Sequence, residues 1–144
     1  MSRFEPSAVQ PGEQLPALTL GITRAGLIRY AGASTDFNPI HWSDRHARAI
    51  GLPGVVAHGM WTMGAAVRIV TDWCEDPARL LDYSVRFVRP VPVPDDEQGA
   101  RLEVNARVTA IDDGVAALAL DVRIPGETPV KVLGMAKAHV RLEG

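Results

Sequence analysis

From Tyr83 to Leu142 the chain is written largely in period two, and that restricts what it can fold into more than any other feature. Tyr83, Val85 and Phe87 alternate with Ser84 and Arg86, and Leu102, Val104, Ala106 and Val108 alternate with Glu103, Asn105, Arg107 and Thr109. Leu118, Leu120, Val122 and Ile124 form a third set; Val130, Val132, Gly134, Ala136, Ala138, Val140 and Leu142 form a fourth, longer one. Successive side chains on a strand point to opposite faces, so this pattern predicts antiparallel strands with one covered face. Asp112-Asp113-Gly114 suits a tight hairpin turn, Pro125-Gly126 suits the next, and PVPVPDDEQG reads as a longer connection.

Something apolar must cover that face, and one segment can. In VVAHGMWTMGAAVRIVTDWC the only charges from Met60 to Cys74 are Arg68 and Asp72. Apolar residues fall on nearly every side, which predicts a buried central helix, too short and too interrupted to span a membrane. Upstream, residues 1–14 read as an irregular arm and Leu15 to Ile22 as a short strand. Thr23 suits the N-cap of a helix through Ala31, with Leu27, Ile28 and Ala31 inward and Gly32 as its stop. Ser43 suits the cap of another short helix, Asp44 to Ile50, ended by Gly51. The economical arrangement is α+β: a curved antiparallel sheet wrapping one long central helix. No repeat or linker divides the chain, so residues 1–144 are expected to form one domain.

Composition removes several function classes. Net charge is −2 with basic residues scattered, which disfavours nucleic acid or an anionic membrane as the main partner. The lone cysteine, Cys74, rules out an internal disulfide framework and any CxxC metal site; with no activating neighbour in sequence it reads as inert. The N-terminus lacks an apolar signal core, so a cytoplasmic protein is expected. GxSxG, GxGxxG and phosphate-loop patterns are absent.

What remains is STDFNPIHW, Ser34 to Trp42. It places a carboxylate, an amide and an imidazole around a proline. Pro39 disfavours a continuous helix and biases Asn38 toward an extended conformation, so a bend can point Asp36 and His41 the same way. Asn38 can hold that geometry by donating to the carboxylate or to backbone. The pair could then grip one water molecule between two acid–base groups, an arrangement typically worth about 10²–10⁴ in rate. His58-Gly59-Met60 opens the apolar helix, where backbone N–H groups lack intrahelical partners. Gly59 has no side chain to obstruct an approaching oxygen, so a thioester carbonyl there would meet donors and the positive end of the helix dipole. Base, water and oxyanion site together describe reversible hydration of a conjugated thioester, with no metal and no cofactor.

Plainer readings exist for each residue. Asx-Pro turns are common, so the bend could be structural only. His58 reads first as structural, and His139 as a packed or exposed strand residue. A metal site from Asp36, His41, His46 and His58 has no standard ligand spacing. Met60, Met63 and Trp73 read first as core.

DFNPIH followed by AHGM resembles the MaoC-like or hydratase-2 branch of the hot-dog fold. The likeness runs through YAGASTDFNPIHW, VVAHGMWTMG and YSVRFVRPVPVPD, and is nearest to the B subunit of mycobacterial-type (3R)-hydroxyacyl-ACP dehydratases. The resemblance implies a hot-dog domain with Asp36 and His41 as catalytic dyad, Asn38 orienting it and Gly59 as oxyanion donor. It implies (3R)-hydroxyacyl and trans-2-enoyl substrates on coenzyme A or acyl carrier protein, and a homodimer or a heterodimer with another hot-dog subunit. Met60, Trp61 and Met63 are the candidates for the acyl-binding wall. The alternatives are an (R)-specific enoyl-CoA hydratase and a non-catalytic hot-dog partner or acyl-binding scaffold. Two positions depart from the family: Thr35 stands where glycine is common before the aspartate, and Val67 where some hydratases carry serine. A β-branched residue at 35 resists positive φ, so an altered turn is expected there.

Overall fold

The computed structural model describes residues 3–143. Five antiparallel strands, β1 (Leu18–Ile22), β2 (Leu80–Phe87), β3 (Ala100–Asp112), β4 (Val115–Ile124) and β5 (Val130–Arg141), form one sheet in the order β1-β3-β4-β5-β2. The helices are α1 (Arg24–Ser34), α2 (Asp44–Ala49), α3 (Gly59–Ala66) and α4 (Arg68–Cys74). This is the expected α+β arrangement of helix against sheet.

The alternation sets the core. Leu102, Val104, Ala106 and Val108 of β3 and Leu118, Leu120 and Val122 of β4 are all buried. They pack in one cluster with Ala66, Ile69, Val70 and Cys74 from α3 and α4. On β5 the alternation slips: Val132 and Leu133 are both buried, and Met135 takes φ 47 near the register shifts. An extra residue in one strand does this, and it bends the sheet.

The β3–β4 turn is as tight as its sequence suggests, with Asp113 at φ 48 and Gly114 at φ 71, the signature of a two-residue hairpin. Residues 125–129, by contrast, make a longer loop between β4 and β5 than Pro125-Gly126 predicts. In the proline-rich connection, Val91 and Val93 are buried and their backbone pairs with Val55 and Ala57. That connection therefore braces the chain just before α3.

Several expectations need correction. The central helix is not continuous: α3 and α4 meet at Val67, whose carbonyl accepts from both Val70 and Thr71 N–H. The shorter of these is a 3₁₀-type bond, which tightens the turn and interrupts the α register. Nor is the helix covered all round. Thr62, Ala66, Ile69, Val70 and Cys74 face inward, while Met60 is 60% exposed and Arg68 pairs with Asp72 on the open side. Finally, Ile28 is exposed and α1 runs past Gly32 to Ser34, with Thr35 as its left-handed C-cap. Strand β1 begins at Leu18 rather than Leu15. No helix among the described residues is long and apolar enough to cross a membrane.

Candidate active site

The motif begins with backbone conformation. Thr35 takes φ 61, against its β-branched preference, at a cost of about 1–2 kcal/mol. Its hydroxyl donates to Ser34 O at 2.6 Å, and Ser34 Oγ accepts from Asp36 N–H at 3.2 Å, which offsets part of that strain. The left-handed turn therefore forms with threonine in place of glycine, and it turns the chain out of α1 into Asp36.

Two Asx turns follow in succession. Asp36 Oδ1 accepts from Asn38 N–H, and Asn38 Oδ1 accepts from Ile40 N–H, each at 3.2 Å. Asn38 thus caps a short 3₁₀ turn, Pro39–His41, with Pro39 at its first position. The expected donation from the Asn38 amide is replaced by acceptance at its oxygen and by its backbone N–H. The bend brings His41 Nε2 to 3.9 Å from Asp36 Oδ2, with the imidazole 8% and the carboxylate 50% exposed.

The tautomer of His41 follows from its partner. Nδ1 lies 2.7 Å from Val56 O, and a carbonyl can only accept, so Nδ1 carries the proton. Nε2 then presents its lone pair on the Asp36 side. Burial pushes the His41 imidazole below its ordinary value of 6.5, and repulsion from His58 adds to this; the Val56 carbonyl and Asp36 oppose it. His41 is therefore neutral at neutral pH.

His58, read from sequence as a structural residue, lies inside this arrangement. Only 1% exposed, it stacks on the His41 ring with centroids 3.7 Å apart, and the edge of Tyr30 packs against it at 4.7 Å. Its Nε2 donates to Asp36 O at 3.1 Å, fixing the backbone of the catalytic candidate, while Nδ1 is buried with no partner. Its sequence signals were its place at the start of an apolar run and in AHGM, neither of which points to a contact with His41. His46 is exposed on α2, away from this group.

Asp36, His41 and His58 bring ligand atoms within 4.8 Å of one another. Two imidazoles stacked at 21° with centroids 3.7 Å apart hold their lone pairs in separate, nearly parallel planes, which is poor geometry for converging on one ion. The trio fits proton transfer better than metal binding.

Gly59 lines a pocket of about 390 Å³ together with His41, Thr62, Phe87 and Val91. His58, at the N-cap position of α3, offers no side-chain cap, and the first turn holds no acidic residue. Met60 and Trp61 lie instead on a separate cleft of about 420 Å³ with Tyr30 and Arg68, and Met63 lines neither. The walls of the His41 pocket, which half-exposed Asp36 does not line, come from Ile40, Val56, Val132 and Leu133. Those residues are far apart in sequence and had no local signal. His139 pairs with Asp82 at 2.6 Å across two strands, remote from the dyad in the sheet.

Comparison with known proteins bears on the same segments. The chain is 40% identical over 89 residues to 3-hydroxyacyl-thioester dehydratase X of Mycobacterium tuberculosis, covering 62% of this chain and 31% of that protein. The chain thus spans about a third of that relative's length. Among solved structures, a MaoC-like dehydratase superposes with a TM-score of 0.89 at 32% identity, covering 96% of this chain and 42% of that one. The (R)-hydratase from A. caviae involved in PHA biosynthesis matches at 0.79 and 21% identity, over 94% of this chain and 98% of its own, which shows the shared hot-dog fold. The family described as MaoC like domain matches residues 7–121, from the N-terminal arm through the dyad and α3 into β4. With the Asp36–His41 bend and the Gly59 helix start inside that match, the chain belongs to the MaoC-like domain family.

Proposed function

We propose that this chain is a hydro-lyase that reversibly dehydrates (3R)-3-hydroxyacyl thioesters to trans-2-enoyl thioesters, working as one domain. The observation that carries the reading is the orientation of His41. Its Nδ1–H is tied to Val56, so Nε2 faces Asp36 across 3.9 Å, a gap that one water can bridge with two hydrogen bonds of ordinary length.

In the hydration direction, that water gives a proton to His41 Nε2 as its oxygen bonds to C3. The C2=C3 electron pair moves toward the carbonyl, whose oxygen becomes an enolate beside the Gly59 N–H. A proton returns from the dyad to C2, so H and OH have added across the double bond and the dyad ends as it began. An oxyanion donor of this kind is worth roughly 3 kcal/mol. Asp36 accepts a hydrogen bond from the water and steadies the imidazolium that forms. Dehydration is the same path reversed.

Absorbance of the conjugated enoyl thioester tests this on crotonyl-CoA. We expect Asp36→Asn to lower kcat/KM by about 10²–10⁴ without changing the melting temperature. Equal rates in wild type and variant would remove the dyad from the mechanism. Arg89, on the pocket wall, would meet phosphates of a coenzyme A or acyl carrier protein arm.

A second subunit is part of the same proposal. Strand β2 is a free edge of the sheet, and Leu81, Val88 and Met135 on or beside it are exposed. Pairing β2 with a second copy, or with another hot-dog subunit, would extend the sheet and cover these side chains. Sedimentation velocity at micromolar concentration is expected to give a dimer for a self-pairing chain; a monomer both alone and with a candidate partner subunit overturns it.

A further inference from the structure

Gly59 carries no side chain, yet the space beside its Cα is filled. A Cβ placed there would lie 3.0 Å from Phe87 Cε1, 3.1 Å from Cδ1 and 3.3 Å from Cζ. Real Cβ atoms rarely come so close, so the glycine is what lets this ring lie against the start of α3. Phe87 is the last residue of β2, paired with Leu133 where the β2–β5 ladder ends. It is 54% exposed, so one side of the ring rests near Gly59 and much of the rest meets solvent. Val88, Arg89 and Pro90 continue from it along the exposed wall of the His41 pocket, while His41 and Thr62 on the same pocket are buried.

We propose that Phe87 is a specificity-determining residue: an aromatic gate that turns aside for a thioester carbonyl to reach the Gly59 N–H and limits the bulk carried next to that carbonyl. The proposal rests on the enoyl-thioester reading above. A half-exposed ring at a strand end has little packing to lose, and side chains this exposed change rotamer in picoseconds to nanoseconds. The gate therefore does not set the turnover rate; it selects by shape. An unbranched enoyl thioester is flat through its conjugated carbons and can slide along the displaced ring. A methyl group on C2 projects out of the chain, beside the carbonyl, into the volume the ring edge needs. One methyl-sized mismatch in an apolar pocket discriminates by about 10–200-fold.

The test compares hydration of crotonyl-CoA with that of its 2-methyl homologue in wild type, Phe87→Leu and Phe87→Ala. We expect the kcat/KM ratio, 2-methyl over unbranched, to rise at least about tenfold in Phe87→Ala, with Phe87→Leu between. An unchanged ratio in both variants overturns the gate. A second measurement needs no turnover. Gly59→Ala is expected to lower Tm in the wild-type background and to lower it less in Phe87→Ala, because the added methyl then meets no ring. Equal losses in the two backgrounds overturn the ring's place against Gly59, and with it the gate. Inactivity of the wild type toward all enoyl thioesters would instead overturn the enoyl-thioester reading and the substrate named here; the melting pair would still report on the ring.

Discussion

Two helices of the same chain begin in opposite ways. The start of α2 is capped: Ser43 Oγ accepts from His46 N–H at 3.2 Å, and Asp44 supplies a carboxylate to the first turn. That carboxylate also accepts from Val55 N–H at 2.8 Å and pairs with Arg24 at 2.9 Å, while Arg24 holds Val93 O at 2.6 Å. At the start of α3 there is no cap, no acid and a buried imidazole with an unpartnered nitrogen. A good N-cap is typically worth about 1 kcal/mol, so α3 gives up stability that α2 keeps. The first helix start holds the frame: it fixes Val55, and the next residue's carbonyl sets the tautomer of His41. The second leaves donors for a ligand. In the proposed mechanism, structure and chemistry are divided between two helix starts fifteen residues apart in sequence.

The largest effect that tests this division comes from removing one N–H. Gly59→Pro deletes the candidate donor at the first helical position, where proline is tolerated. His58 already has φ −60 and ψ 130, a conformation compatible with a following proline. Because the ring would meet Phe87, the change belongs in the Phe87→Ala background. We expect kcat to fall a further ~10²–10³-fold with the far-ultraviolet circular dichroism unchanged. A loss under about threefold would mean that this N–H receives no developing charge, and the contrast between the two helix starts would lose its chemical meaning.

Acid gives the smaller and finer test. The Asp44 carboxyl is held below its ordinary 3.8, first by the Val55 N–H and then by Arg24. Its folded value lies below its unfolded one, so its stabilisation is complete above 3.8 and is lost as pH falls through the folded value. The Tm difference between wild type and Asp44→Asn should hold down to that region and shrink below it. His41 is held below 6.5 mainly by burial, and the proposed mechanism uses its neutral form as base. The acid limb of kcat/KM should therefore lie below 6.5. A limb centred above 6.5 would mean that the folded site favours the charged imidazole, against the effect of burial, and would break the assignment of His41 as base.

Much of this was legible in one dimension because it is local. The buried sets on β3 and β4, the Asp113-Gly114 turn and the caps Thr23 and Ser43 depend on neighbours within a few residues. The Asp36–His41 approach was legible for the same reason, since Pro39 and two Asx turns span it. Misreadings arose where a distant segment decides. Ile28 matched the helical period yet lies outward, because nothing packs over that side of α1 among the described residues. Thr35 is a local exception: it was expected to alter its turn, but hydrogen bonds among Ser34, Thr35 and Asp36 hold it at positive φ.

By itself the sequence determined the strand periodicity, the proline bend that joins acid to imidazole, and the family to which the chain belongs. Only the tertiary structure decided that His58 would stack under His41, that Val56 would set the protonated nitrogen, and that Phe87 would lie against Gly59. Those relations join residues from separate segments. Periodicity and capping act through bonds a few residues long, whereas ring stacking and close approach depend on where the sheet and helices leave space.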